Sequence, residues 1–210
     1  MKVFPLPLGA YQTNCYILSI GERALIVDPG FDANQIIAHI ETNGLKPEAI
    51  LITHGHHDHI GALEEVQKKY NVEVYAHQDE KEYFTNPQLN GSYKMGRDEI
   101  AMNDLSFITF FDKDTSIQLL DQKIDVYHVP GHSRGSIAFY FEDHKFVISG
   151  DALFKSSIGR TDLPYGNHEQ LITSIKTKLF TLPEDTVVCP GNGPATMIVT
   201  EKRTNPFFFT

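Results

Sequence analysis

Six consecutive residues of this 210-residue chain, His54-Gly55-His56-His57-Asp58-His59, hold four imidazoles and one carboxylate. Imidazole nitrogens and carboxylate oxygens are the donors that hold transition metals, and the His-x-His-x-Asp-His spacing gathers several of them in one turn of chain. The run follows Ala49-Ile50-Leu51-Ile52, an apolar stretch that reads as a buried strand. Solvated His-rich loops usually lack a core strand in front of them, so the pattern points to a metal site at a strand end. Other ligand-bearing residues close other apolar runs: Asp28 after residues 24–27, His132 after Val129-Pro130-Gly131, Asp151 after Ser149-Gly150, and Asn192 after Cys189-Pro190-Gly191. Asp28 lies in an Asp-Pro-Gly turn and is expected to brace the site from behind, not to react.

The elements that must carry these residues can be read in order. Residues 3–8, with Pro5 and Pro7, suit an edge strand, and 15–18 with 24–27 read as a hairpin turning near Gly21. Asp32 can cap a helix whose apolar face is Ile36, Ile37 and Ile40 and which stops at Gly44. His39 falls on its polar face and is expected to be solvated. After the His cluster, Ile60, Leu63, Val66 and Tyr70 recur at helical spacing, with Glu64–Lys68 and Glu65–Lys69 as i,i+4 pairs. Val72 to Ala76 is a strand, and His77 is expected in a loop.

Residues 78–116 show no clean period; a helix over 79–84 and a mobile segment near 90–104, serving as lid or substrate wall, are expected there. Strands return at 123–129, 136–141 and 145–149, and a helix capped by Asn167 carries Leu171, Ile172, Ile175 and Leu179. A strand at 186–189 and a short helix over 197–203 close the pattern, and the Phe207-Phe208-Phe209 tail is expected to pack on the core. His57 is expected to point away from its ligand neighbours, and His128 to support the site or the core. The chain reads as one domain, 1–210, with two sheets face to face and helices outside.

Composition narrows the function. The 41% hydrophobic and 21% charged residues suit a globular enzyme. A formal net charge of -9 argues against nucleic acid and anionic membrane as partners, because both reward a basic surface, and favours a small-molecule substrate. With only 2 cysteines, no signal-peptide core and no long apolar run, a reducing cytoplasm is the expected location. Oligomeric state is left open.

The His-x-His-x-Asp-His run, Gly131-His132, Gly150-Asp151 and Pro190-Gly191-Asn192-Gly193-Pro194 together resemble the metallo-β-lactamase superfamily over nearly the full length. Within it, residues 149–154, Ile158-Gly159-Arg160-Thr161-Asp162-Leu163-Pro164 and Glu201-Lys202-Arg203-Thr204-Asn205-Pro206 resemble the short, single-domain members of the glyoxalase II-like (hydroxyacylglutathione hydrolase-like) branch. The resemblance implies an α+β fold, a four-layer αββα sandwich with the metal site at the edge of the two sheets. His54, His56 and His132 would form a first metal site, Asp58 and His59 would begin a second, and Asp151 would bridge them. A family histidine that completes the second site is here Asn192, whose neutral oxygen is a weaker donor.

The implied cofactor is zinc, as one or two ions, with iron or manganese as alternatives. The implied activity is hydrolysis of a thioester or ester by hydroxide held on the metal, with Asp58 as ligand or general base and Arg160 binding an anionic substrate group. Arg160 could equally pair with Asp162. Glutathione hydrolases of the family carry a C-terminal helical extension, and only 18 residues follow Asn192, which sets glutathione in question. Two rival functions remain: a persulfide dioxygenase-like enzyme with mononuclear iron on His56, His132 and Asp151, or a metal-binding protein without catalysis.

Overall fold

The computed structural model describes residues 1–209, the side chains of 96–98 excepted. Among the described residues, the first six strands form one sheet in sequence order: β1 (Lys2–Leu8), β2 (Thr13–Ile20), β3 (Arg23–Val27), β4 (Lys46–Leu51), β5 (Glu73–His77) and β6 (Ile108–Phe111). The second half supplies β7 (Thr115–Leu119), β8 (Gln122–His128), β9 (Ile137–Phe141), β10 (Phe146–Gly150), a separate hairpin of β11 (Leu153–Phe154) and β12 (Ser157–Ile158), then β13 (Val187–Pro190) and β14 (Thr196–Met197). Its main sheet runs β14-β13-β10-β9-β8-β7. The helices are α1 (Ala33–Thr42), α2 (His57–Ile60), α3 (Leu63–Tyr70), α4 (Lys81–Thr85), α5 (Pro87–Asn90), α6 (His168–Ser174) and α7 (Ile198–Thr204).

The layering follows from strands that are apolar at every position. Side chains alternate between faces of a strand, so a continuous apolar run must be buried on both sides. In β2 to β4, Ile17, Ile26 and Ile50 face outward onto Ile36 and Ile40 of α1 and Leu63 and Val66 of α3. Their neighbours Leu18, Leu25, Val27 and Leu51 face inward and meet Ile124, Phe139 and Ile148 of the second sheet. On the far side, Ala138, Val147 and Val188 are covered by Leu171 and Ile198, with Ile175 and Leu179 in the π-turn that prolongs α6. Each fully buried Leu or Ile is worth roughly 1.5–3 kcal/mol, so three such interfaces hold the four layers together.

The expected αββα sandwich is therefore present, and several local expectations need correction. Asp32 stands at φ 52 and makes no side-chain cap; its carboxylate accepts the Gly9 amide at 3.0 Å, fastening α1 to the β1–β2 turn instead. Neither i,i+4 pair forms on α3 among the described residues; Lys69 reaches across to Glu41 of α1 at 2.9 Å. His39 is half-buried, stacked on Phe4 of the edge strand with ring centres 4.2 Å apart. His77 ends β5 fully buried, stacked on His128 at 4.1 Å, because the two sheets close on each other there. Of the phenylalanine tail only Phe208 packs inward, against Phe180, while Phe207 and Phe209 are exposed. The sequence pattern does not announce strands β6, β7, β11, β12 and β14: they are short, and β7 alternates polar residues on an edge.

Candidate metal centre

Strands β3, β4, β5 and β6 pair in parallel, so their carboxyl ends share one edge of the first sheet. In the second sheet β8 and β13 run the same way as β10, so their ends meet that edge from the other side. Loops beyond the carboxyl ends of parallel strands are where α/β folds gather ligands. Asp28 follows β3, the His54–His59 stretch follows β4, and His132, Asp151 and Asn192 follow β8, β10 and β13. Thr13 opens the antiparallel β2 at the same edge and bridges to Asn192.

The hydrogen bonds fix which ring nitrogen each histidine presents. Thr53 donates its hydroxyl to Asp28 Oδ2 at 2.6 Å, so it can only accept from His54 Nδ1 at 3.1 Å, leaving His54 Nε2 with its lone pair exposed inward. His132 Nδ1 donates to the Arg160 carbonyl at 2.8 Å, which likewise frees His132 Nε2. That atom lies 3.2 Å from His54 Nε2 and 2.9 Å from His56 Nδ1. A tetrahedral ion with metal–nitrogen bonds of about 2.0–2.1 Å holds its nitrogens about 3.3 Å apart, so the triplet matches a three-imidazole site. Burial first, and then the crowding of neighbouring imidazoles, hold His54 and His56 well below the ordinary histidine range, keeping both neutral.

A second cluster adjoins the first. His59 donates Nδ1 to Asp28 Oδ2 at 2.9 Å, and its Nε2 faces Asp58 Oδ2 at 3.5 Å and Asp151 Oδ1 at 3.4 Å. Asp151 Oδ2 lies 3.7 Å from His132 Nε2, so this carboxylate stands between the two groups. Asn192 does not offer its oxygen to the cluster: its amide donates to both oxygens of Asp151, at 3.3 and 3.4 Å, and its Oδ1 turns toward Thr13. A carboxylate accepts only, so the amide nitrogen is the end that must face it. His59 Nε2, which faces both carboxylates, is buried without a hydrogen-bond partner among the described residues, which fits a centre built around a cation.

Asp28, expected as a brace, accepts from Thr53 twice and from His59, thereby orienting one histidine of each cluster. His57 points away as expected and binds the Asn90 carbonyl at 2.9 Å. His128 supports the His132 loop through the Arg134 carbonyl at 2.8 Å.

The centre opens into a cavity of about 630 Å³. Phe154, Ile158 and Leu163 form an apolar wall, while Tyr11, Tyr93 and Lys94 stand at the rim. The wall at 88–94 overlaps the start of the 90–104 segment expected as a lid or substrate wall. Arg160 lines the cavity with its guanidinium held by Asp162 in a two-pronged pair at 2.7 and 2.8 Å. Thr13 and Lys94 are cavity or centre residues that the sequence pattern does not single out. Nothing local marks Thr13, and Lys94 sits where hydrophobic period is lacking.

Fold and donor set together define a metal-binding αββα sandwich, and the model of the metallo-beta-lactamase superfamily matches residues 8–191, so the chain belongs to that superfamily. It is 44% identical over 99% of its length to a probable metallo-hydrolase, YqgX, of Bacillus subtilis, covering 97% of that protein. It is 35% identical to the hydroxyacylglutathione hydrolase GloC of Haemophilus influenzae, over 99% of this chain and 98% of that one. Among solved structures, the BLEG-1 B3 metallo-beta-lactamase superposes with a TM-score of 0.93 at 39% identity over 100% of both chains. TTHA1623 in a di-iron-bound form superposes at 0.86 and 38%, over 98% of this chain and 100% of that one. Family and donor cluster make the protein a metal-binding hydrolase in kind. No helix of the described residues is long and apolar enough to cross a membrane.

Proposed function

We propose that the protein is a glyoxalase II-like hydrolase that cleaves a thioester or ester of a small molecule with one tightly held metal ion. The observation that carries this reading is the convergence of His54 Nε2, His56 Nδ1 and His132 Nε2 beside Asp58, at the floor of a cavity large enough for a small acyl ester. Zinc is the ion best suited to three neutral imidazoles, with iron or manganese as alternatives. Such an ion acts as a Lewis acid and brings a bound water to a pKa of about 7.

Asp58 is the catalytic carboxylate in this reading. Thr13 donates to its Oδ2 at 2.8 Å and holds it beside the three histidines, from where it orients the attacking water and accepts its proton. Asp151 and His59 keep the neighbouring donors in place. Because the Asn192 amide already occupies Asp151, the second site is expected to hold its ion weakly or to lack one. Arg160 contributes an anion contact only if its pair with Asp162 opens; Lys94, which pairs with no carboxylate among the described residues, is the better-placed cation at the rim. GloC has nearly the length of this chain, so a short C-terminus is no obstacle to a glutathione thioester, which becomes the first substrate to try.

Metal analysis of protein purified without added metal, combined with hydrolysis of a hydroxyacyl-glutathione and of a simple aryl thioester, tests the reading. One equivalent of zinc with turnover supports it. A second reading rests on His56, His132 and Asp151 as a two-histidine, one-carboxylate set, the arrangement typical of mononuclear iron oxygenases, and on the di-iron neighbour. Iron content with oxygen uptake dependent on an added thiol persulfide would replace the hydrolase by a persulfide dioxygenase. Metal without turnover on either substrate would leave a binding protein.

A further inference from the structure

Glu80 belongs to the short turn that follows β5, in a segment with no readable period, and its side chain is completely buried. A buried carboxylate without an ion pair among the described residues must be satisfied by donors, and the three that reach it there come from the two loops that carry the histidine triplet. Oε2 accepts the amide of Gly55, the residue between His54 and His56, at 2.6 Å. Oε1 accepts the Gly135 amide at 2.7 Å and the Ser133 hydroxyl at 2.6 Å, three and one residues beyond His132 on the other sheet. Among the described residues only one backbone bond, from the Ile137 amide to the Thr53 carbonyl at 2.9 Å, joins the same two loops.

The contact is close enough to dictate residue types. A Cβ on Gly135 would lie 2.8 Å from Glu80 Cγ and 3.0 Å from its backbone nitrogen. A Cβ on Gly55 would lie 2.5 Å from that of Tyr83, one turn further along the Glu80 segment. Both loops are thus seated directly on this segment, and the carboxylate is the peg between them.

We propose that Glu80 is a positioning residue of the metal centre: its two carboxylate oxygens peg the His54–His56 loop of one sheet to the His132 loop of the other, setting the spacing of the three nitrogens. The inference rests on reading that triplet as a metal site. Glu80 itself touches neither metal nor substrate. A glutamine there keeps the shape but turns an amide toward at least one of the three donors, leaving that bond unmade.

Cobalt(II) provides the test, through its affinity in competition with a chromogenic chelator and through its ligand-field spectrum, both read on folded protein. In Glu80→Gln the dissociation constant of the first cobalt ion should rise about ten- to a hundredfold, the range for lost supports behind metal ligands, and the bands should shift and weaken. The urea midpoint of the metal-free protein supplies the control: a residue that only stabilised the fold would lower it and leave cobalt affinity and spectrum alone. Should Glu80→Gln not fold, Ser133→Ala removes one bond of the three and should still weaken cobalt binding several-fold. Wild-type affinity and spectrum in a folded variant overturn the proposal while the metal site stands. If the wild type binds no cobalt, the metal reading fails and this inference with it.

Discussion

Thr13 donates to Asp58 and Asn192 donates to Asp151, so the two carboxylates beside His59 already have protein donors. Burial opposes ionisation of Asp151, yet His59, His132 and the Asn192 amide outweigh it and hold its carboxyl below the usual range. An imidazole at 192 would replace a hydrogen-bond donor by a lone pair. Asn192→His is therefore expected to raise the metal content from about one toward two ions per chain, the two-site count of the family's ligand pattern, as measured by elemental analysis after dialysis. Unchanged metal content would show that another feature limits the second site. At the rim, Lys94→Ala should raise KM for an anionic thioester by about tenfold, with kcat retained and a neutral thioester little affected, because it removes a contact equally present in ground and transition states. Equal effects on both substrates would argue against an anion contact. Arg160→Ala, with its guanidinium engaged by Asp162, should act more weakly unless the pair opens on binding.

The β11–β12 hairpin brings Phe154, Ser157 and Ile158 to the cavity and leads into Arg160, whose carbonyl orients His132. Two strands of two residues each cannot hold themselves in place. Helix α7 does so: Glu201, fully buried, accepts the Ser156 amide at 2.9 Å and the Thr196 hydroxyl at 2.6 Å, and Asn205 donates to the Ser157 carbonyl at 3.0 Å. This gives the Glu201-to-Pro206 motif a physical task, support of the cavity wall from behind. Glu201→Ala is expected to cost about 1–3 kcal/mol in stability through its unpaired donors, and to raise KM more than it lowers metal content. Urea unfolding and metal analysis on the same preparation separate the two; loss of metal in step with stability would place the hairpin's role in the centre itself.

Over the whole molecule, closure of one sheet upon the other sets the response to acid. The His77 ring is buried where β5 approaches β8, and burial, then the facing His128, lower its pKa to about 4. In an unfolded chain a histidine titrates near about 6.5. Above that pH His77 is neutral in both states and contributes no pH dependence. As the pH falls from about 6.5 to about 4, the unfolded chain takes a proton that the folded one refuses, so stability is lost, by up to roughly 3 kcal/mol for this one group. His77→Phe keeps a ring against His128 and should flatten the dependence of the urea midpoint between pH 7 and pH 5, relative to wild type. Equal slopes in both proteins would mean that His77 does not drive it.

The layers and the donors are legible in the chain alone. Runs such as 24–27 and 49–52 are apolar at every position, as a strand buried on both faces requires, and each ends in a residue able to bind metal or to brace one that does. Asn167 also announced its helix, and its side chain accepts the Gln170 amide at 3.0 Å. Orientation comes from the packing of distant segments. His54 and His132 stand 78 positions apart, yet their nitrogens are 3.2 Å from each other, and which nitrogen faces inward depends on Thr53, Asp28 and the Arg160 carbonyl. Asn192 could have offered either end of its amide until Asp151 was placed against it. Glu80 carries no signal at all in a segment without period, because its partners are backbone amides and one hydroxyl, and a backbone amide is the same at every residue except proline.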